Sequence, residues 1–451
     1  MIREEIKQFI DNTAAELEQI SDQVWGFAET CFQEEESSRV QADYMEAQGF
    51  RVKRGVSNMP SAFIAEAGEG RPILAILGEN DALAALNQEA DVLERKQIKD
   101  GTPGHGCGHN LLGTGGMEAA IVTAKYLKEK GLPGTVRYYA CPAEEGGGGK
   151  IFLILDHQFD DVDATVSWHP GNKWEVVKKG LAIVSAYFRF QGKAAHAARA
   201  ELGRSALDAL ELTNVGLNFL REHVQKDTIM HYSITNTGGP AANIVQEFAE
   251  GFYILRNPDQ TYVRDLYERV LDICRGAALM TGTTFLPPQL INNYANYNPN
   301  NTIDELTLAN MKEILPLDYT EEELEYGKAF QAVGSEPDKP GPYVSEIVVG
   351  DRHTCTDVCD VSWITPLSYF NGVTLARGTI GHNWAVVAQG KSPAAHRGMH
   401  AAAEIMANTM IDLIEQPEVL AKAKEEFAKN IAENPPYDTL MVNCSPEDYR
   451  Q

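Results

Sequence analysis

Apolar positions recur along the chain at helical and strand spacings that divide it into a regular succession of elements. Residues 2–30 carry an apolar side chain near every third or fourth position, which predicts an amphipathic helix. A second helix is predicted over 37–48, strands over 51–66 and 72–77, and a further helix over 113–130. This alternation of strands and helices predicts an α/β layered domain.

The pattern changes near residue 180. A long strand candidate at 181–190 precedes a helix at 204–224, two strand-like stretches, a helix at 259–281 and a final short strand. This order, over roughly 110 residues, resembles a ferredoxin-like α+β unit. The predicted division is a larger discontinuous domain with a smaller inserted one: 1–179 with 296–451, and 180–295.

The first pattern resumes after the insertion. It predicts a strand at 373–380, helices at 392–415 and 417–431, and an irregular tail at 434–451. Composition is that of an ordinary globular protein, with 43% apolar and 23% charged residues. The formal net charge of -25 argues against non-specific nucleic-acid binding, which depends on Lys and Arg.

Cellular location is predicted to be cytoplasmic. The seven cysteines are widely scattered, and the charged N-terminus has no apolar leader, so reduced thiols are expected. No run approaches the ~18 apolar residues of a membrane span. Cys355 and Cys359 have no second pair to complete a four-ligand site, and they are interpreted as buried or incidental.

The strongest chemical signal is the stretch 105–110, in which glycines separate His105, Cys107 and His109. Glycine permits the tight turns that bring alternate side chains to one point. Thiolate and neutral imidazole are good ligands for zinc and related metals. Alone, Cys107 could equally be a buried free thiol; between two histidines, a ligand role is favoured. His105 could be a ligand, a residue that orients one, or a loop residue, and we favour the second.

Other candidate side chains follow predicted strands, where open α/β sheets bind ligands. Glu144 and Glu145 stand between a predicted strand and four glycines, and His169 ends another strand. Asp81 ends a third strand, either to orient an imidazole or to cap a turn. The glycines at 146–149 are not followed by the Gly-Lys-Ser/Thr of a phosphate loop, which excludes that alternative.

Taken in order, these motifs resemble the aminoacylase/carboxypeptidase metallopeptidase family and its Cys-containing amidohydrolase subfamily. The segments that carry the resemblance are 104–110, 143–146, 168–169 and 192–197. Three further segments are similar to the p-aminobenzoyl-glutamate hydrolase branch of that subfamily: 78–83, 356–363 and 387–392. The resemblance covers nearly the whole chain.

The resemblance implies a two-metal α/β catalytic domain, and an inserted lid domain that also forms a homodimer. The implied metal ligands are Cys107, His109, Glu145, His169 and His382. Glu144 would be the general base, and His196 would reach the partner's site to stabilise the oxyanion. Asn243 and Arg256 would hold the substrate's carboxylate. The implied cofactors are two divalent ions, manganese or zinc, with cobalt possible.

Two positions depart from the family pattern. Asn110 stands where many relatives have Asp, and His382 precedes Asn-Trp where Ser-Pro is usual. His396 is therefore a rival to His382 as the C-terminal ligand, although it lies in a predicted helix, and we prefer His382. Asp81 and His105 are assigned to the surroundings of the ligands.

The predicted function is a metal-dependent amidohydrolase of N-acyl or N-aroyl amino acids, p-aminobenzoyl-glutamate among them. A related second subunit is a possible partner; nucleic acid and membrane are not expected. The alternatives are a dipeptidase or general N-acyl-amino-acid hydrolase, and a catalytically silent scaffold of the same fold. The intact ligand set with Glu144 beside it argues against the scaffold.

Overall fold

The computed structural model describes residues 3–351 and 355–449. Its α-helices are α1 (Glu4–Phe27), α2 (Glu35–Ala47), α3 (His109–Lys130), α4 (Gly149–Leu155), α5 (Ala206–Leu220), α6 (Gln260–Thr281), α7 (Asn301–Ile314), α8 (Glu321–Ala332), α9 (Val358–Val361), α10 (Trp384–Gln389), α11 (Pro393–Glu415) and α12 (Pro417–Glu433). Its strands are β1 (Arg51–Arg54), β2 (Phe63–Glu69), β3 (Ile73–Gly78), β4 (Gly134–Ala140), β5 (Ala164–Gly171), β6 (Trp174–Lys179), β7 (Ala182–Gln191), β8 (Ala195–His196), β9 (Ile229–Asn236), β10 (Ile244–Val245), β11 (Phe248–Asn257), β12 (Thr284–Phe285), β13 (Gln289–Tyr294), β14 (Ile347–Asp351) and β15 (Leu367–Val373).

The larger sheet has the strand order β1-β2-β4-β3-β5-β15-β6-β14. Its central strands β4, β3, β5 and β15 are parallel. Along β3, Leu74 and Ile76 enter one apolar core, whereas Ala75 and Leu77 enter the other. Helices α3 and α11 pack together over the first core. The sheet is therefore buried on both faces, as parallel sheets are, and the predicted α/β class is confirmed.

The second sheet has the order β12-β7-β11-β9, with β13 also paired to β7. Its ladders are antiparallel. Helices α5 and α6 cover one face, where Phe188, Phe190 and Leu255 form a separate apolar core. We call residues 182–294 the small unit. Its other face carries half-buried side chains, among them Tyr187 and Phe252.

Several predicted bounds were wrong. The stretch 51–66 is a hairpin of β1 and β2, because the chain turns at Val56–Asn58. The last strand is β15 and not 373–380, since the backbone turns after residue 373 and Leu375 donates to the Gly171 carbonyl. Helix α3 begins at His109, four residues before the predicted start at 113.

The C-terminal segment is ordered where the sequence predicts an irregular tail. Short helical turns form at Leu440–Asn443 and Pro446–Tyr449. Asp438 pairs with Arg264 of α6, and the Leu440 amide donates to Asn293 at 2.7 Å. Predictions for residues 1–2 and 450–451 lie outside the described residues. No helix in the described ranges has the length and hydropathy that crossing a bilayer requires.

Candidate metal centre

Side chains from several strand ends converge at one edge of the larger sheet. Glu79 and Asp81 follow β3, Glu144 and Glu145 follow β4, and His169 lies near the end of β5. Because these strands are parallel, their carboxyl ends meet at the same edge. The predicted convergence of carboxylates and histidines is therefore present in the folded chain.

The loop before α3 brings Cys107 and His109 to this edge. Gly108 has φ +79°, and a Cβ there would lie 3.0 Å from Pro170 Cβ. A Cβ on Gly106 would come within 2.5 Å of the Leu86 side chain. Only glycine fits such a left-handed and crowded path without strain. The result places Cys107 Sγ 3.3 Å from His169 Nε2.

Two groups of possible metal donors share the Cys107 thiol. One contains Cys107, His109 and His169, and the other contains Cys107, Glu145 and His382. Within each group the donor atoms lie within 4.8 Å of one another. His382 Nε2 is 3.4 Å from Glu145 Oε1. Sulfur, nitrogen and oxygen donors in this combination suit zinc and neighbouring divalent metals.

Hydrogen bonds orient the imidazoles. His109 Nδ1 donates to Asp81 Oδ1 at 2.9 Å, which leaves Nε2 facing the site. His169 Nδ1 donates to the Pro170 carbonyl at 2.6 Å, and its Nε2 faces the thiol. Burial alone would raise the pKa of Asp81, but His109 and the Glu145 amide lower it below its usual value. Such outer contacts fix the tautomer of a metal-binding histidine.

Negative groups outnumber positive ones at the site. Burial and the nearby Glu79 and Glu145 raise the pKa of Glu144 well above its usual range. Hydrogen bonding to Cys107 and Glu145 raises the pKa of His382 to about 10. Glu79 Oε2, Glu145 Oε1 and His109 Nε2 are buried without a hydrogen-bond partner among the described residues. Orphaned donors of this kind fit a divalent cation, which would satisfy them.

A buried ion cluster supports the site from behind, and the sequence did not predict it. The Lys150 ammonium lies 2.6 Å from Glu79 Oε1 and 2.6 Å from Asp357 Oδ1. Glu79 Oε2 lies 3.1 Å from His109 Nε2. Burial would lower the pKa of Lys150, but the two carboxylates raise it well above its usual value. The available signal was a lysine that follows four glycines at the start of an apolar helix.

The sequence model of peptidase family M20/M25/M40 matches residues 81–427, which include every candidate metal ligand. The chain belongs to this peptidase family. The M20 chain is thus a hydrolase that acts on amide bonds. The metal-donor groups described above lie within the matched region.

Curated relatives of this M20 chain agree over almost its full length. It is 39% identical to one of the two subunits of the p-aminobenzoyl-glutamate hydrolase of Escherichia coli strain K12, over 98% of this chain and 99% of that protein. It is 27% identical to the Xaa-Arg dipeptidase of Mus musculus, over 96% of this chain and 94% of that one. The predicted family resemblance is confirmed.

Solved structures share the fold. The aminobenzoyl-glutamate utilization protein of Klebsiella pneumoniae superposes with a TM-score of 0.64 at 16% identity, covering 90% of this chain and 98% of that one. A dinuclear metal binding M20 peptidase from Bacillus subtilis gives a TM-score of 0.54 at 17% identity, covering 87% and 98%. At these identities the likeness concerns the fold alone.

The two rival C-terminal histidines occupy different places. His382 lies on the loop before α10 in a left-handed conformation, φ 53°, and its amide donates to the Gly106 carbonyl. It therefore reaches the donor group with Cys107. His396 lies in α11, and its Nε2 contacts Asp22 Oδ1 at 3.1 Å. In the described part of the chain, His396 enters no donor group.

The small-unit residues stay apart from the metal donors. His196 is exposed on β8, where its Nδ1 accepts from the Ala198 amide at 3.0 Å. Asn243 is exposed beside it, and its carbonyl accepts from the Ala197 amide. Arg256 is half-buried on β11, with no hydrogen bond to Nε among the described residues. Their assigned roles stay predictions.

Two residues of the opening stretch face the helices and not the donors. His105 Nε2 donates to the Val24 carbonyl of α1 at 3.0 Å, and burial lowers its pKa to about 4. Asn110 donates to Ser21 Oγ at 3.1 Å and to the Gly390 carbonyl at 3.0 Å. Both residues hold the start of α3 against its neighbours.

Proposed function

We propose that this M20 hydrolase is a two-metal amidohydrolase of N-acyl and N-aroyl amino acids, with p-aminobenzoyl-glutamate as one substrate. The observation that carries the proposal is the Cys107 thiol, which is common to two donor groups. A shared thiolate suits two neighbouring ions. The proposed ligands are Cys107, His109, Glu145, His169 and His382.

The proposed ions are manganese or zinc, with cobalt able to substitute. When bound, such ions polarise a carbonyl and lower the pKa of water. Glu144 is the proposed general base. Its burial and raised pKa suit a carboxylate that takes a proton from water and returns it to the leaving nitrogen. Asp81 keeps His109 in the tautomer that presents Nε2 to the site.

Residues 180–295 are the proposed lid and dimerisation domain, inserted between 1–179 and 296–451. The exposed His196 is proposed to stabilise the oxyanion in the partner's site, and Asn243 and Arg256 to bind the substrate carboxylate. Exposure of His196 and Asn243 supports a role that another surface completes. A dipeptidase is the second candidate, favoured by the full-length likeness to the Xaa-Arg dipeptidase.

The test is metal reconstitution followed by a substrate screen. Chelated protein should lose hydrolysis and regain it with manganese, zinc or cobalt. N-aroyl-glutamates should be turned over faster than dipeptides. Failure of all three metals to restore hydrolysis would contradict the metal proposal, and a preference for Xaa-Arg dipeptides would favour the second candidate.

A further inference from the structure

A cavity of about 380 Å³ opens directly beside Glu145, one of the proposed metal ligands. It lies between the small unit and the loops at the edge of the larger sheet. Tyr187 and Phe252 line it from the small unit, and Cys31, Leu83 and Tyr449 line it from the opposite side. A group bound in the cavity would therefore adjoin the reacting amide.

The wall contributed by the small unit is aromatic and rigid. Tyr187 and Phe252 are directly opposite in the β7–β11 ladder, with ring centroids 4.8 Å apart. The Arg189 guanidinium lies 5.6 Å from the Tyr187 ring centre. Arg189 is itself held by Glu250 and Gln289 at 2.5 Å each. Two positioned rings offer a surface on which a planar aromatic group can pack.

The charge of the cavity selects the kind of group it accepts. Its ionisable lining includes the carboxylates of Glu145 and Asp448, and neither Lys nor Arg occurs among the described lining residues. Burial, with the nearby Asp81, raises the pKa of the Cys31 thiol, which therefore stays neutral. An anionic carboxylate would be repelled here, whereas a neutral group would be accepted.

A cation for the anionic half of the substrate lies elsewhere on the same strand. Phe252 and Arg256 are four residues apart on β11, so their side chains share one face of the sheet. At ~3.3 Å per residue, they are separated by about 13 Å. The neutral and cationic features of this face are thus spaced along β11.

We propose that the cavity binds the neutral aromatic acyl half of the substrate, with its ring packed against Tyr187 and Phe252. The inference rests on the proposed function and assigns the two halves of the substrate to two places. The amino-acid half extends toward Arg256. The Asp448 carboxylate can accept hydrogen bonds from an amino group on the ring.

The first experiment compares two substrates that share one amino acid, N-(4-aminobenzoyl)-glutamate and N-acetyl-glutamate. Tyr187→Leu and Phe252→Leu should lower the ratio of their kcat/KM values about tenfold, mainly through the KM of the aroyl substrate. Phe252→Tyr should restore the ratio. Phe219→Leu, on the exposed end of α5, is the matched control and should leave the ratio unchanged.

A ratio that stays constant in both leucine variants would overturn the proposal, even where overall activity falls. A loss of folding would lower both substrates equally, so thermal unfolding of each variant is measured beside the kinetics. Restoration of the ratio by Phe252→Tyr supports ring packing, because that variant keeps the aromatic surface.

A second experiment separates the cavity from the proposed function. Binding of 4-aminobenzoate to the metal-loaded protein is measured by calorimetry, without turnover. If the wild type binds it, the leucine variants do not, and no N-acyl amino acid is hydrolysed, the cavity stands and the proposed function fails. If hydrolysis occurs without 4-aminobenzoate binding and with a constant ratio, the function stands and the cavity proposal is overturned. Absence of both binding and hydrolysis overturns both.

Discussion

The two halves of the cleft differ in how complete they are within one chain. At the edge of the larger sheet, His109 is fully buried and bonded to Asp81, and its donor group lies within 4.8 Å. On the small unit, His196 and Asn243 are exposed and bond only to nearby backbone. Folding of a single chain assembles the first half; the second half requires another surface or a movement of the small unit.

The difference has an electrostatic cause. Buried carboxylates are costly unless a cation or hydrogen bonds compensate them. The larger half supplies compensation through Lys150 and presents further orphaned atoms, including Glu79 Oε2 and Glu145 Oε1. The exposed groups of the small unit are hydrated and need no such partners. Substitutions should therefore have unequal effects in the two halves.

The largest effect is expected from Glu144→Ala, which removes the proposed base. Turnover should fall about 10³-fold, because no described neighbour replaces a carboxylate that transfers protons. Metal content, measured by mass spectrometry, should stay at the wild-type level. Cys107→Ala is the contrasting variant and should lose metal as well as activity. Turnover that persists in Glu144→Ala would remove this residue as the base.

The next largest effect is expected from Lys150→Met. The change leaves Glu79 and Asp357 buried without their cation, and should lower the free energy of unfolding by about 3 kcal/mol. Urea denaturation of the metal-free protein measures this. Lys130→Met is the control, since it breaks only the exposed pair with Glu5 and should cost about 0–1 kcal/mol. Equal losses in the two variants would show that the buried cluster contributes no special stability.

Sequence patterns predicted the parts of this site that depend on local order. Glycines around Cys107 and the paired glutamates after a strand were visible in one stretch each. The register of β7 and β11 was not visible, so the facing of Tyr187 and Phe252 could not be predicted. Pairing of strands from distant segments depends on tertiary packing rather than on local pattern.

The Lys150 cluster was missed for the same reason. Its partners Glu79 and Asp357 come from segments far away in the sequence, and each alone resembles an ordinary turn or surface carboxylate. The tail was predicted as irregular because its many polar residues and prolines show no periodicity. Its order comes from contacts with Arg264 and Asn293, which only the folded chain brings near.

The incomplete half of the cleft predicts complementation between chains. His196→Ala should lower kcat about 10²-fold, as loss of an oxyanion donor does. Mixing it with Glu144→Ala chains should restore activity well above that of either variant, because one composite site regains both residues. The control mixture uses chains that carry both substitutions. Activity that does not rise on mixing would indicate that His196 serves its own chain.

The smallest effect concerns the charged packing behind the larger half. Burial would lower the pKa of His400, but Glu118 and Glu18 raise it to about 10. His400 Nδ1 lies 2.7 Å from Glu118 Oε2 and is remote from the proposed ligands in sequence. Since the folded pKa exceeds the unfolded value of about 6.5, the stabilisation is complete below about pH 6.5 and is lost as the pH rises toward 10.

His400→Leu should therefore destabilise the protein more at pH 6 than at pH 9, by about 1 kcal/mol in the free energy of unfolding. Urea denaturation at the two pH values measures the difference. His157→Leu, which removes an exposed histidine paired with Asp160, should show no such dependence. An equal loss at both pH values would mean that His400 stabilises α11 through packing alone. The buried half of the cleft would then depend less on internal charge pairs than its geometry indicates.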